Sequence, residues 1–174
     1  MQIQLFDSRS MECLCDIPLN NLKNKIHFIA AFVKNGLSKY ILNAGDSEMK
    51  VILLNEYLIP VVETKKGEHC YVLSPTAHYL KYSQEEISLL DKSVYKYFLL
   101  SLLHFGSIFF KIFNFNKTVY VNNWLFSTNP PLYLEQNEVI KLRDFLTKKY
   151  PEKAIIIRSI DSFNKNYHNI LRAS

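Results

Sequence analysis

Residues 118–160 constrain the fold of this chain more than any other segment, because apolar runs with two different periods follow one another there. Residues 118–122 form a short apolar run rich in β-branched side chains, which predicts a strand. Residues 134–149 repeat apolar side chains at helical spacing, and residues 153–159 are almost continuously apolar, as in a strand at the centre of a sheet. A strand, a helix and a strand in this order predict a right-handed crossover between parallel strands.

An antiparallel meander is predicted before this unit. Its strand candidates cover residues 39–42, 50–54, 57–62 and 70–73, and residues 1–6 alternate polar and apolar side chains like a separate strand. Asn55-Glu56 is a two-residue hairpin turn, in which Asn tolerates a left-handed backbone. Pro60 has no amide proton, which favours an edge position for its strand.

Three further helices are predicted from their end signals. The first covers residues 20–36 and ends at a glycine. Residues 74–82 are predicted as a loop or an irregular turn, after which Ser83 and Glu86 form a capping box that starts the second helix. A last helix, capped by Asp161 or Ser162, runs to Leu171. Together the elements predict one α+β domain over the whole chain, with a mixed, mainly antiparallel sheet and helices on both faces.

The second helix, over residues 84–113, is apolar on nearly every side from Phe98 onward. A helix that is apolar all round is buried, and Gly106 is predicted to divide this one. Its apolar run, residues 97–110, is shorter than the roughly 20 residues that cross a bilayer. We therefore predict a buried helix and no transmembrane segment, with an interfacial helix as the alternative.

Charge and cysteine content bound the class of protein. The formal charge of +5 permits an anionic partner, but acidic residues are interspersed among the basic ones and no recognition motif is present, so nucleic acid is not predicted. Cys13, Cys15 and Cys70 make an odd count, which gives no disulfide framework. We predict reduced, buried thiols in a cytoplasmic protein without a signal peptide, and no metal site.

Amide and hydroxyl side chains fill the loop that follows the first strand of the crossover. They are Asn122, Asn123, Ser127, Thr128 and Asn129. Such groups bind a carboxylate, an amide or a phosphate, or form an oxyanion pocket. The alternative is a self-contained turn, in which these side chains bond nearby backbone and Trp124 packs below them.

Arg158 ends the last apolar strand. Because ligands gather beyond the carboxyl ends of parallel strands, Asn122 and Arg158 are expected to face one crevice. The alternative for Arg158 is an ion pair with Asp161 or Glu152. A third candidate site joins His78, which can act as a general base, to Tyr79 or Tyr82 as the acid.

Several strings resemble an uncharacterised bacterial group related to the GNAT-like acyltransferases. They are Ser74-Pro75 with His78-Tyr79, Tyr82 with Glu85-Glu86, Val121-Asn122-Asn123-Trp124-Leu125 with Ser127-Thr128-Asn129, and Ile156-Ile157-Arg158-Ser159. The resemblance implies the amino-terminal half of a GNAT-like fold and transfer of an acyl group from acyl-CoA to an amine. In this role His78 would deprotonate the amine, Tyr79 or Tyr82 would return a proton, and the loop would position a small-molecule substrate.

The chain departs from that family in one respect. GNAT enzymes hold the coenzyme A pyrophosphate on a glycine-rich loop at a helix start, and none of the four glycines lies in such a string. The resemblance then implies that the chain lacks the coenzyme-binding half and is a truncated protein, a degenerate copy or one lobe of a split enzyme, with a homodimer or a missing acyltransferase lobe as its partner. The alternative is a non-catalytic interaction or ligand-binding module, which would pair through a sheet edge or its aromatic helix.

Overall fold

The computed structural model describes residues 2–45, 47–64, 74–91, 93–113, 117–126, 128–158, 160 and 165–173. The strands are β1 (Ile3–Phe6), β2 (Glu48–Leu54), β3 (Tyr57–Glu63), β4 (Thr118–Val121) and β5 (Ala154–Ile157). The α-helices are α1 (Met11–Asp16), α2 (Lys23–Asn35), α3 (Tyr82–Ser88), α4 (Val94–Ile112), α5 (Gln136–Lys149) and α6 (Lys165–Ala173). Shorter helical turns cover Asn20–Leu22, Leu37–Lys39 and Ala77–Lys81. The predicted α+β class is confirmed.

The described strands form one mixed sheet in the order β1-β2-β3-β4-β5. Neighbouring strands are antiparallel except β4 and β5, which are parallel and joined through α5. The predicted parallel pair, the hairpin of β2 and β3 and the strand near residue 1 are therefore confirmed. Of the predicted meander only that hairpin is confirmed, and β4 takes the antiparallel place beside β3. Asn55 takes a left-handed conformation in the hairpin, with a φ of 51°, as its tolerance of that region predicts.

Two predictions of strand position are wrong. Pro60 lies in an internal strand, yet β4 pairs only with 61–63, so the missing amide proton falls beyond the end of that ladder. Strand β5 lies at the edge of the described sheet, not at its centre. No residue of β5 is fully buried, but both of its faces contact the core: Ile156 packs against one cluster and Ile155 against the other.

Residues 39–42 are not a strand, which corrects a third prediction. Gly36 ends α2 with a φ of 82°, and a short helical turn over Leu37–Lys39 follows at once. Leu37 is fully buried there, and Asn35 donates its side-chain amide to the Tyr40 hydroxyl. The predicted strand at 70–73 and the start of the last helix lie outside the described residues.

Helices cover both faces of the sheet, as predicted. Side chains alternate between the faces along each strand, so β2 directs Val51 to one face and Ile52 to the other. Helices α1 and α2 pack on the first face through residues such as Leu14 and Ile29. Helices α5 and α6 cover the second, where Leu146 is 1% exposed.

The region before α3 is helical, so the predicted loop or irregular turn at 74–82 is wrong. The Ser74 hydroxyl accepts a hydrogen bond from the Ala77 amide, and the turn Ala77–Lys81 runs directly into α3. Ser83 is therefore not a helix cap, because the residues before it are already helical. Helix α3 ends at Ser88 and α4 begins at Val94, after Ser93, whose side chain accepts from the Lys96 amide.

Helix α4 is exposed, which overturns the prediction that it is buried. None of its described residues is buried, and Phe105 is 69% exposed. Its main contacts are with α3 and the turn Ala77–Lys81, while the two sheet faces are covered by other helices. Gly106 does not divide the helix, and a side chain there would meet Leu80. Across the described ranges, no helix has both the length and the apolarity to cross a membrane.

Candidate binding site at the ends of β4 and β5

The two parallel strands end side by side. Val121 is paired with Ile157, and the amide of Arg158 donates to the Val121 carbonyl over 3.0 Å. The chain therefore leaves both strands at the same edge of the sheet, where parallel sheets collect ligands.

Asn122 turns the chain away from β4. Its φ is 59°, a left-handed conformation that Asn adopts more readily than most residues. Its side-chain amide donates to the Pro130 carbonyl over 2.8 Å, and its side-chain oxygen accepts from the indole nitrogen of Trp124 over 2.9 Å. Both ends of this carboxamide are used within the loop.

Asn123 is the side chain that joins the loop to β5. Its carboxamide oxygen accepts from the Leu125 amide over 3.1 Å and from Nη1 of Arg158 over 3.0 Å. Its backbone amide donates to the Pro60 carbonyl. The side chain is fully buried, and its Nδ2 atom has no hydrogen-bond partner in the described structure. A buried donor in this state costs about 1–3 kcal/mol.

The rest of the loop is partly closed on itself. The Asn129 side-chain oxygen accepts from the Trp124 amide over 2.7 Å. Leu125 has a φ of 66°, which is strained for a leucine. Thr128 is exposed, and Ser127 lies outside the described residues. The alternative of a self-contained turn therefore holds for Asn122 and Asn129, whose side chains bond within the loop, and Trp124 is buried beneath them.

Most side-chain N–H groups of Arg158 have no hydrogen-bond partner among the described residues. It is half-buried, and no carboxylate among the described residues forms an ion pair with it. Glu152, one of the two suggested partners, lies 3.9 Å from Lys117 instead, and Asp161 lies outside the described residues. A guanidinium has five N–H donors in a planar fork, which matches a carboxylate or a phosphate.

The predicted acid–base residues lie on the helical turn Ala77–Lys81 and at the start of α3. Tyr79 is 60% exposed, and its ring lies 6.5 Å from that of Phe110 on α4. Tyr82, at the start of α3, is 55% exposed. His78 belongs to the same turn, but its side chain lies outside the described part of the structure. Catalytic roles for these three residues stay predictions.

A charged cluster that the sequence did not predict lies at the opposite end of β5. Glu63 forms ion pairs with Lys50 and, over 2.6 Å, with Lys153, and both ammonium groups lie within 5.9 Å of the Tyr150 ring centre. Burial raises the pKa of Glu63, but hydrogen bonds from Lys153 and Lys50 outweigh it and hold this pKa below its usual value. The charged groups of this cluster are paired with one another, which indicates a structural role.

The two cysteines of the C-x-C pair are exposed, so the prediction of buried thiols is wrong for Cys13 and Cys15. Helix α1 is short, and only Met11 and Leu14 face the core. The metal-binding residue types His, Cys, Asp and Glu do not cluster in threes anywhere in the described ranges.

No family model, curated protein or solved structure matches this chain. The resemblance to GNAT-like acyltransferases therefore rests on the sequence strings alone.

Proposed function

We propose that this domain binds a small molecule with an anionic or carbonyl oxygen at the ends of β4 and β5, and that the bound molecule takes part in acyl transfer. The observation that carries the proposal is the half-buried guanidinium of Arg158, held by Asn123 and without an acidic partner among the described residues. Arginine in such a position offers paired, charge-assisted hydrogen bonds to a carboxylate or a phosphate.

Acyl-CoA fits this chemistry as the donor, because it carries phosphates and a thioester carbonyl. The oxygen of Asn123 fixes one edge of the guanidinium over 3.0 Å, which leaves the other N–H groups for the ligand. Thr128 is exposed on the same loop and offers a hydroxyl. Under this proposal His78 is the base that deprotonates the accepting amine, and Tyr79 or Tyr82 is the acid. The domain acts alone or as one lobe of an acyltransferase.

A thermal-shift titration tests the binding step. Coenzyme A, acetyl-CoA and longer acyl-CoA thioesters are titrated into the chain, with acetate and inorganic phosphate as simpler anions. A ligand at about 100 times its Kd adds roughly 2.7 kcal/mol, which raises the Tm by roughly 5–10 °C for a chain of this size. We expect a saturable rise with at least one thioester, and release of free coenzyme A when an amine is added.

Two arginine variants separate the proposed site from general charge. Arg158→Ala should abolish the rise. Arg143→Ala should keep it, because Arg143 is an exposed arginine on α5 paired with Asp144. A wild-type chain that shows no shift with any thioester would contradict the proposal, as would an Arg158→Ala chain with an unchanged shift.

A further inference from the structure

Helix α4 exposes an apolar stripe with the spacing of a helix-pairing seam. Its members follow one another at alternating intervals of three and four residues: Tyr95, Phe98, Leu102, Phe105, Phe109 and Ile112. Their exposed fractions run from 51% for Phe109 to 80% for Tyr95. A repeat of 3.5 residues keeps one line of side chains facing a second helix, as in coiled coils. We call these six residues the α4 stripe.

No charged residue interrupts the α4 stripe. The positions beside it include Ser101, Gly106 and Ile108. Lys96 is turned toward its own domain, where its ammonium donates to the carbonyls of Ser88 and Leu90. Lys111 falls on the opposite side of α4, since each residue advances a helix by about 100°. A two-fold interface places a surface against its own copy, and an uncharged surface does so without repulsion.

The exposed area is large enough for a stable dimer. At roughly 200 Å² for each large apolar side chain, and with the exposed fractions given above, the α4 stripe offers roughly 800 Å². That equals the roughly 800 Å² that each partner contributes to a standard interface. It exceeds the roughly 300–600 Å² of the largest apolar patch on a typical monomer.

We infer that this chain forms a homodimer in which the α4 stripe of one protomer packs against the α4 stripe of its partner. Leu102 and Phe105 lie at the middle of the helix and form the centre of this interface. The proposal is independent of the ligand site at Arg158.

A lipid surface fits the helix less well than a second copy. Lipid imposes no repeat of 3.5 residues, and helices that lie on membranes carry lysine and arginine on their polar side. Of the two lysines of α4, Lys96 bonds its own domain and only Lys111 lies on the exposed side opposite the α4 stripe. The flank of the helix next to the α4 stripe packs on its own protein, where Phe110 meets the Tyr79 ring and Gly106 faces Leu80.

The test is the mass of the full chain in solution, measured by light scattering after size exclusion and by sedimentation equilibrium over a series of concentrations. We expect twice the mass of one chain. Phe105→Glu should weaken the dimer at least about 30-fold, as the loss of a central contact does. His104→Glu is the matched control, because it adds the same charge at an exposed position on another side of α4. It should leave the dimer intact.

Circular dichroism shows whether each variant is folded, and Leu102→Glu replaces Phe105→Glu if the latter unfolds. Four outcomes would overturn the inference: a monomeric wild-type chain at every concentration, a polydisperse aggregate, a monomer that sediments with phospholipid vesicles, or a folded Phe105→Glu chain that stays dimeric. A dimer lost in Phe105→Glu or Leu102→Glu and kept in His104→Glu supports it.

Discussion

Arg158 donates Nη1 to the carboxamide oxygen of Asn123 over 3.0 Å, which ties the residue after β5 to the loop after β4. The Asn123 backbone amide in turn donates to the Pro60 carbonyl on β3. Three neighbouring strands are therefore connected at one point of the sheet edge. The hydrogen bond that positions the Arg158 guanidinium for a ligand also connects these strand ends, so stability and binding must be measured separately in each variant.

Replacing Arg158 should destabilise the protein as well as remove the ligand group. A hydrogen bond to a charged group contributes about 1.5–3 kcal/mol, and Arg158 is only half-buried, so we expect Arg158→Ala to cost about 1–2 kcal/mol. The stability of Arg158→Lys should fall between those of the wild type and Arg158→Ala, because an ammonium lacks the planar fork of a guanidinium. Urea unfolding at pH 7 measures these changes.

The Arg143→Ala variant is the stability control for that comparison. Its partner Asp144 is adjacent in sequence and the pair is exposed. Exposed pairs contribute little, so the change should stay within about 0.5 kcal/mol. Equal losses in the Arg158 and Arg143 variants would show that the bond to Asn123 does not stabilise the strand ends.

Asn123 should tolerate aspartate better than alanine. Aspartate keeps the oxygen that accepts from the Leu125 amide and from Arg158, and it removes the buried Nδ2 donor that has no partner. We expect Asn123→Asp to lie within about 1 kcal/mol of the wild type and Asn123→Ala to lose about 2–4 kcal/mol, since it leaves two donors unpaired. Urea unfolding measures both changes. An aspartate variant as unstable as the alanine variant would show that the side-chain oxygen of Asn123 is not what stabilises the loop.

Local patterns predicted the elements that are specified by their own residues. The hairpin at Asn55 needs only a left-handed turn between two apolar runs, and α5 needs only its periodicity and its first-turn acids. The helical turn after Ser74 carried a signal of the same kind, because a serine cap followed by proline starts many helices. That signal was present at Ser74-Pro75 and would have corrected the predicted loop.

Positions that depend on distant parts of the chain could not be predicted. Strand order decides whether Pro60 and β5 lie inside the sheet or at its edge, and order is set by long-range pairing. The apolar residues of α4 predict burial, but a sequence does not say whether the covering surface belongs to the same chain. The bond between Arg158 and Asn123 likewise requires the register of β4 against β5.

The hairpin offers a test of how much its left-handed residue contributes. Asn55 has a φ of 51°, and its side-chain amide donates to Glu138 over 2.7 Å. Asn55→Gly keeps the conformation and loses the bond, whereas Asn55→Ala loses both. Since a left-handed residue other than glycine or asparagine costs roughly 1–2 kcal/mol, alanine should be less stable than glycine by about 1 kcal/mol. Thermal unfolding measures the difference, and equal stabilities would mean that the turn relaxes.

The ion pairs of Glu63 should make stability depend on acidic pH. The hydrogen bonds from Lys153 and Lys50 hold the pKa of Glu63 below its usual 4.5 in spite of burial. The stability that the Glu63 carboxylate contributes is therefore fully present above pH 4.5. It is lost as the pH falls through the lower pKa that Glu63 has in the folded protein. We expect Glu63→Gln to cost roughly 2–4 kcal/mol at pH 7, since it leaves two half-buried ammonium groups without their carboxylate.

Urea unfolding at pH 7 and pH 3 checks both parts of this prediction. The wild type should lose more stability than Glu63→Gln between the two pH values, because only the wild type gives up the ion pairs. Glu152→Gln is the control: its carboxylate is 84% exposed and lies 3.9 Å from Lys117, so its change should stay within about 0.5 kcal/mol and its pH dependence should match that of the wild type. If Glu63→Gln loses as much stability as the wild type on acidification, the acid sensitivity arises from other carboxylates.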